Sequence, residues 1–198
     1  NSKHSLPAES MAVVGAGLVG SLWALMLAER GHHVDVYERR PDPRIGQYKG
    51  GRSINLALSN RGWRALEKAG IADAVREIAL PITHRTMHAT DGTLTRQPYG
   101  LPEARGMFDD PQCIYSVSRA LLNRLLVEKS ERHAHVAYHF DHKCVELDVN
   151  RKELHFEKSQ SESTSKSFDR IFGTDGAFSA VRDRLMRTDR FDFAQRYL

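Results

Sequence analysis

Met11-Ala12-Val13-Val14-Gly15-Ala16-Gly17-Leu18-Val19-Gly20 places three glycines in the spacing G-x-G-x-x-G directly behind an apolar run. The apolar run predicts a buried β-strand, and residues 18–30 predict a helix with an apolar face that stops at Gly31. A second apolar run ends in Glu38, at about 20 residues from the glycines. This order predicts a strand–helix–strand unit of the kind that binds dinucleotides.

Each glycine of this motif has its own expected task. Gly15 permits the tight turn out of the strand, and Gly17 lets the backbone approach a pyrophosphate without an intervening side chain. Gly20 permits close packing of helix on strand, and the amides at the helix N-terminus face the anion. Glu38 is placed to accept hydrogen bonds from a ribose. From this motif alone, a glycine-rich turn without a ligand stays open as the alternative.

A second signature lies near the other end of the chain. Residues 170–176, RIFGTDG, predict a strand that ends in an Asp-Gly turn, and SAVR follows at 179–182. The two signatures together indicate a flavoprotein that binds its dinucleotide along the edge of a parallel sheet. We therefore predict an α/β fold, namely a Rossmann-like FAD-binding domain with a parallel sheet and part of a β-rich substrate-binding subdomain.

Composition agrees with this class and excludes others. The 198 residues carry a formal net charge of +4, and the basic residues are scattered instead of forming a tract that would indicate nucleic-acid binding. The two cysteines are too few and too isolated for a disulfide framework or a zinc site. No apolar run has the roughly eighteen residues that a membrane-spanning helix needs.

Turn and cap signals divide the remainder of the chain into helices and strands. Ser59 and Gly70 bracket one predicted helix, and Asp91-Gly92 predicts a hairpin turn. Residues 159–167 are rich in serine and predict a polar loop. The other predicted elements are helices over 72–78 and 119–130, the latter with Leu121, Leu122, Leu125 and Leu126 on its inner face, and strands over 83–89, 93–97, 136–140, 143–149 and 152–158.

The histidines at positions 133, 135, 139 and 142 invite a metal interpretation. On a strand, His135 and His139 share a face, whereas His142 lies opposite or in the turn. No cluster of carboxylates or cysteines completes a ligand set at a useful spacing. We therefore expect no metal site and interpret these histidines as a solvated, weakly basic surface.

Residues 51–59, GRSINLALS, closely resemble a stretch distinctive of the kynurenine 3-monooxygenases, a family of FAD-dependent aromatic hydroxylases. The resemblance also includes VYERR at 36–40, QPYG at 97–100, YSVSR at 115–119 and RFDF at 190–193, and it covers nearly the whole chain from about Met11. It implies an FAD-binding domain over 11–198 that is incomplete at its C-terminal side. Residues 83–100 are expected to contribute to the substrate-binding sheet, and residues 1–10 to be a disordered N-terminus.

The resemblance implies a reaction, in which NADPH reduces FAD and O2 is used to hydroxylate L-kynurenine to 3-hydroxy-L-kynurenine. No acid–base triad or metal is then required, because the cofactor carries the redox chemistry. The chain resembles an N-terminal fragment, expected to be soluble and inactive alone. Because animal members are anchored to the outer mitochondrial membrane through a later C-terminal region, the resemblance implies that location for the parent protein, with the cytoplasm as the alternative. A related flavin hydroxylase with another substrate, or a truncated non-catalytic FAD- or ADP-binding module, stays open.

The resemblance also assigns cofactor-binding residues. Those expected at the pyrophosphate and the adenosine are Val19, Gly20, Tyr37, Glu38, Arg39 and Arg40, together with a backbone contact from Cys144. Those expected at the flavin are Ala57, Arg119 and Asp175, and Asp175 also borders the approach of NADPH. Outside the resemblance, Arg119 is an exposed helix charge, Cys144 a buried thiol and Asp175 part of an ordinary turn.

Two further residues match the substrate site of the family. Kynurenine carries an amino-acid group, so its site needs a cation for the carboxylate, and Arg85 matches the carboxylate-binding arginine of the family. Tyr99 matches the tyrosine that donates a second hydrogen bond to the same carboxylate. Without the family match, Arg85 would be interpreted as a surface strand residue and Tyr99 as a packed loop aromatic.

Overall fold

The computed structural model describes residues 7–45, 54–100, 113–158, 162–188 and 194, and it divides into two compact units. The first unit comprises residues 1–48 and 126–198, and the second comprises residues 49–125. The strands are β1 (Ser10–Val14), β2 (His33–Tyr37), β3 (Asn55–Leu58), β4 (Leu80–Ile82), β5 (His84–His88), β6 (Leu94–Pro98), β7 (Ile114–Ser118), β8 (Val136–His139), β9 (His142–Asp148), β10 (Glu153–Lys158), β11 (Ser163–Ser167) and β12 (Arg170–Gly173). The helices are α1 (Leu18–Ala28), α2 (Asn60–Lys68), α3 (Ala72–Ile78), α4 (Arg119–Glu131) and α5 (Ala180–Leu185).

A four-stranded parallel sheet in the order β12-β1-β2-β8 forms the centre of the first unit. Its central strand β1 is apolar on both sides, as expected for a parallel strand covered on both faces. Met11 and Val13 pack with Ala24 and Leu27 of α1, whereas Ala12 and Val14 belong to a second buried cluster on the other face. The predicted strand–helix–strand unit and its parallel sheet are therefore confirmed.

An antiparallel sheet in the order β11-β10-β9 supplies the second buried cluster of the first unit. Leu154 and Phe156 of β10 are fully buried in that cluster with Ala12 and Val14. The strands predicted over 143–149 and 152–158 are confirmed as β9 and β10, which pair antiparallel as a hairpin. The prediction of a polar loop over residues 159–167 is wrong from Ser163 onward, because the backbone of this polar segment pairs with β10 as an edge strand that needs no apolar side chains.

The second unit contains a small antiparallel sheet in the order β3-β7-β4 and a separate hairpin of β5 and β6. Trp63 of α2 is buried and meets Tyr115 of β7 edge to face, with 5.0 Å between the ring centroids. The hairpin turns at Asp91-Gly92 as predicted, and Gly92 has a φ of 85°. No strand is predicted from the sequence over β3, β4 or β7. β3 and β4 are short and lack a clear alternation of polar and apolar residues, and the alternation in β7 is confined to Tyr115–Ser118.

Three smaller expectations differ from the structure. Leu121 of α4 is largely exposed instead of lying on the inner face, whereas Leu122, Leu126 and Val127 are buried. β1 begins at Ser10, the last residue of the segment expected to be disordered. The sequence predictions for residues 1–6, 46–53, 101–112, 159–161, 189–193 and 195–198 lie outside the described residues.

Candidate cofactor and substrate sites

The glycine turn between β1 and α1 is held tightly against its neighbours. Gly15 has a φ of 101°, and its N–H donates to the carbonyl of Tyr37 at 2.7 Å. A Cβ on Gly20 would lie 1.9 Å from the carbonyl oxygen of Gly15, so no side chain fits there. These two positions need glycine for the reasons expected from the motif, namely the left-handed turn and the close approach of helix and strand.

The N-terminus of α1 is open toward its surroundings. Gly17 is the N-cap, no side chain caps the helix, and no acidic residue lies in the first turn. A Cβ built on Gly17 would meet no atom within 4 Å, and the side chain of Val19 is 69% exposed. Because the first amides of a helix lack intrahelical partners and carry partial positive charge, this end fits an anion such as a pyrophosphate.

Glu38 follows β2 and its carboxylate is buried against the glycine turn. It accepts hydrogen bonds from the N–H of Ala16 at 3.0 Å, and from the N–H and the Nε of Arg40 at 3.0 and 2.8 Å. Burial alone would raise the pKa of Glu38, but the hydrogen bonds from Arg40 and Ala16 lower that pKa below its ordinary value. The carboxylate is therefore ionised at neutral pH and keeps the acceptor character expected of a ribose partner.

The residues flanking Glu38 differ in how they are placed. The ring of Tyr37 is buried between Phe156 and His139, at centroid distances of 4.0 and 4.6 Å. Burial, with a smaller contribution from the charge of Asp35, raises the pKa of the Tyr37 phenol. The Tyr37 ring thus fills the core, and its backbone carbonyl holds Gly15. Arg39 and Arg40 are both exposed, and Arg40 forms an ion pair with Glu38.

Thr174 connects the two sequence signatures, although no local sequence pattern identifies it as a residue of the site. Its hydroxyl lies 2.9 Å from the carbonyl oxygen of Val14 and 2.8 Å from that of Gly15, and its N–H also donates to Val14. The pairing of β1 with β12 places Thr174 beside the glycine turn. A hydroxyl residue directly before the Asp-Gly turn was the only available signal, and it is not specific.

Asp175 caps the start of α5. Its carboxylate accepts from the Ser179 hydroxyl at 2.5 Å and from the Ala180 N–H at 2.7 Å. It also lies close to the glycine turn, because a Cβ on Gly15 would approach the Asp175 Cα to 2.8 Å. The structure therefore gives Asp175 a structural task at the helix start while placing it beside Gly15.

Cys144 lies on β9 as a half-buried free thiol and packs against the second buried cluster of the first unit. Its pKa is raised to about 11, mainly by burial and further by the negative charge of Asp175. The thiol is therefore protonated at neutral pH. Within the first unit, direct contacts connect Tyr37, Glu38 and Asp175 to the glycine turn, and Arg40 joins them through its ion pair with Glu38.

Ala57 and Arg119 belong to the second unit. Ala57 is an exposed residue of β3, opposite Ser116 of β7. Arg119 begins α4, its side chain is exposed, and its N–H donates to the carbonyl of Ile54 at 3.1 Å. Both side chains are therefore exposed, one on β3 and the other at the start of the helix that follows β7.

Arg85 and Tyr99 lie on one face of the β5–β6 hairpin. Arg85 is directly opposite Gln97, and the N–H of Tyr99 donates to the carbonyl of Thr83 at 2.9 Å, which continues the register. Since side chains alternate along a strand, Thr83, Arg85, Gln97 and Tyr99 share a face, with Arg85 and Tyr99 as diagonal neighbours. The structure thus brings together the two residues expected to bind a carboxylate, and both are exposed.

The histidines form part of an aromatic cluster, so their interpretation as a solvated surface is wrong for His139 and His142. Both rings are half-buried and contact Tyr37 at centroid distances of 4.6 and 5.9 Å. The Nε2 atom of His139 also lies 2.6 Å from one carboxylate oxygen of Asp35, and the Nζ of Lys166 donates to the other oxygen at 2.9 Å. Within the described ranges, no group of three or more histidine, cysteine or acidic side chains is arranged to hold a metal ion.

The glycine turn, the open helix end and the buried carboxylate define a nucleotide-binding class, and the chain belongs to the FAD binding domain family, whose model matches residues 9–193. Its relatives have a more particular name. It is 42% identical to kynurenine 3-monooxygenase of Christiangramia forsetii over 191 residues, and 40% identical to that of Anopheles gambiae over 189 residues. These alignments cover 96% and 95% of this chain but only 40% and 37% of the relatives. The resemblance stated from residues 51–59 is thereby confirmed.

Solved structures share the fold. The chain matches p-nitrophenol 4-monooxygenase PnpA of Pseudomonas putida with a TM-score of 0.70, at 22% identity, over 88% of this chain and 42% of that one. It matches the flavin-dependent monooxygenase PieE with a TM-score of 0.71, also at 22% identity, over 90% of this chain and 32% of that one. The predicted fold class is therefore confirmed. None of the helices in the described part of the chain is long and apolar enough to cross a membrane.

Proposed function

We propose that this chain serves a monooxygenase that uses FAD, NADPH and O2 to hydroxylate L-kynurenine to 3-hydroxy-L-kynurenine. The observation that carries this proposal is the 42% identity across 96% of the chain to a protein named kynurenine 3-monooxygenase. The chain spans about two fifths of the length of that relative, so the activity is proposed for the full-length gene product. For that product we also propose the outer mitochondrial membrane as location, through a region beyond Leu198.

The first unit would hold the nucleotide part of FAD. The amides at the start of α1 would face the pyrophosphate, with Gly15, Gly17, Val19 and Gly20 shaping that end. The Glu38 carboxylate would accept from the ribose, with Tyr37, Arg39, Arg40 and Cys144 around the adenosine. Ala57, Arg119 and Asp175 are proposed flavin contacts, and Asp175 is also proposed to border the approach of NADPH. Bound FAD supplies the redox chemistry, which these protein side chains do not.

The hairpin of the second unit would bind the substrate carboxylate. The Arg85 guanidinium offers paired N–H donors to two carboxylate oxygens, and the Tyr99 hydroxyl is its diagonal neighbour on the same face. A carboxylate held there fixes one end of the amino-acid substrate. The aromatic ring is then restricted to the orientations that this fixed end allows, which is how positioning contributes to the rate.

The test measures NADPH oxidation by the FAD-loaded full-length gene product with and without L-kynurenine, and identifies the product by mass. Kynurenine-stimulated oxidation with a product heavier by one oxygen atom supports the proposal. Oxidation stimulated by another aromatic compound alone would indicate a related hydroxylase. FAD binding without any NADPH oxidation would indicate a binding module.

Arg85→Ala tests the substrate site in the same assay. We expect it to raise KM for L-kynurenine by about tenfold to a hundredfold, because it removes a charge-assisted contact. Arg96→Ala is the matched control, since Arg96 is an exposed arginine of the same hairpin on the opposite face. If Arg85→Ala and Arg96→Ala had the same KM for L-kynurenine, Arg85 would not belong to the substrate site.

A further inference from the structure

The Arg85 side chain is already oriented by a neighbour. The side-chain oxygen of Gln97, its cross-strand partner, accepts from the Arg85 Nε at 2.8 Å and also from its Nη2. Both donors lie along one side of the planar guanidinium, so a single acceptor fixes the plane as well as the direction of the group. An exposed arginine without such a partner would sample many rotamers.

The contact leaves the outer edge of the guanidinium available. Gln97 occupies the edge formed by Nε and Nη2, whereas Nη1 and the second hydrogen of Nη2 form the outer edge, which Gln97 does not contact. A carboxylate approaching that outer edge still receives two parallel N–H donors. Gln97 therefore restricts an incoming carboxylate to one edge of the guanidinium.

The chemistry of Gln97 also preserves the charge of Arg85. A glutamine oxygen accepts hydrogen bonds without neutralising the guanidinium, which a glutamate at the same position would do. Within the described part of the chain, Arg85 has no acidic ion-pair partner. Among the described residues, the positive charge is thus oriented by Gln97 and not neutralised by an acid, as a site for an anionic substrate requires.

We infer that Gln97 is a positioning residue for the substrate carboxylate, which acts by holding the outer edge of Arg85 toward the face that Tyr99 shares. This inference rests on the proposed function, because it assumes that Arg85 binds the carboxylate of L-kynurenine. Gln97 itself does not touch the substrate. Its effect is therefore carried entirely by Arg85.

The experiment is a double-mutant cycle on the FAD-loaded full-length gene product, with Gln97→Leu, Arg85→Ala and the combined variant. We expect Gln97→Leu to raise KM for L-kynurenine by about threefold to tenfold, with little change in kcat, because orientation of one charged contact is lost. In the Arg85→Ala background the same change should have no further effect. Gln97→Ser replaces Gln97→Leu in the cycle if the leucine variant does not retain FAD.

The cycle separates the inference from the function on which it rests. The positioning role would be overturned if Gln97→Leu changed KM by the same factor with and without Arg85. It would also be overturned if KM for L-kynurenine were unchanged in Gln97→Leu but raised in Arg85→Ala. An unchanged KM in Arg85→Ala would instead mean that the proposed substrate site is wrong. Arg96→Ala again controls for general changes in the hairpin.

Discussion

The carboxylate of Glu38 accepts a hydrogen bond from the backbone N–H of Ala16, with 3.0 Å between the atoms. This contact joins the end of β2 to the middle of the glycine turn, and it orders both sides of the proposed nucleotide site before a ligand binds. The same carboxylate also holds Arg40, so one buried acid organises the turn and a neighbouring cation. Preordering of this kind reduces the entropy that binding must otherwise supply.

Gly17→Ala and Gly20→Ala should affect different properties, the first the affinity for FAD and the second the stability of the fold. A Cβ on Gly20 would overlap the Gly15 carbonyl, so we expect Gly20→Ala to destabilise the fold by about 3 kcal/mol or more. A Cβ on Gly17 meets no protein atom, so Gly17→Ala should fold normally and bind FAD about tenfold or more weaker, because the methyl group obstructs the pyrophosphate. Chemical unfolding and flavin fluorescence titration measure the two quantities. Unchanged FAD affinity in Gly17→Ala would place the pyrophosphate elsewhere.

Glu38→Gln should change how stability depends on pH. The pKa of Glu38 in the folded state is lowered from its ordinary value of 4.5. The ionised Glu38 side chain therefore makes its full contribution to the free energy of unfolding at pH values above 4.5. That contribution is lost as the pH falls from 4.5 through the lowered pKa. The free energy of unfolding of Glu38→Gln should therefore lie below that of the parent at neutral pH and converge with it in acid. Glu157→Gln removes an exposed acid and serves as the control; a pH-independent gap for Glu38→Gln would contradict the assignment.

Thr174→Val should weaken the connection between the two signatures. Valine keeps the shape but removes the hydroxyl that contacts Val14 and Gly15, so we expect a loss of about 1–2 kcal/mol in the free energy of unfolding. Thr174→Ser keeps the hydroxyl and should retain most of the stability. A loss in Thr174→Ser without a loss in Thr174→Val would mean that the methyl group, not the hydroxyl, carries the effect. Urea unfolding followed by circular dichroism measures both.

Cys144 should react slowly with iodoacetamide at neutral pH. With a pKa of about 11, only about one thiol in ten thousand is ionised there, and the thiolate is the reactive form. The experiment uses Cys113→Ser and follows alkylation by peptide mass mapping, so that the peptide carrying Cys144 is measured by itself. The rate should rise steadily as the pH approaches the pKa. Rapid alkylation at neutral pH would contradict the placement of this thiol.

Local patterns predicted the elements whose signals lie within one short segment. The glycine spacing predicted the turn at Gly15, and Asp91-Gly92 predicted the hairpin that carries Arg85. Local patterns did not predict β11, because an exposed edge strand is stabilised by backbone pairing with β10 and leaves no apolar signature. They also did not predict that the Tyr37 ring would stack between the rings of His139 and Phe156, because these three residues lie on three different strands.

The sequence by itself determined the strand–helix–strand unit, because glycine conformation and apolar periodicity act within a few neighbouring residues. Its motifs, above all residues 51–59, carried the resemblance to the family and, through it, the proposed site residues. Only the tertiary structure decided which groups meet. It placed Thr174 against the carbonyls of Val14 and Gly15, and Gln97 against the guanidinium of Arg85. Such contacts depend on strand order and register, which arise from pairing between distant segments and are not encoded in any one of them.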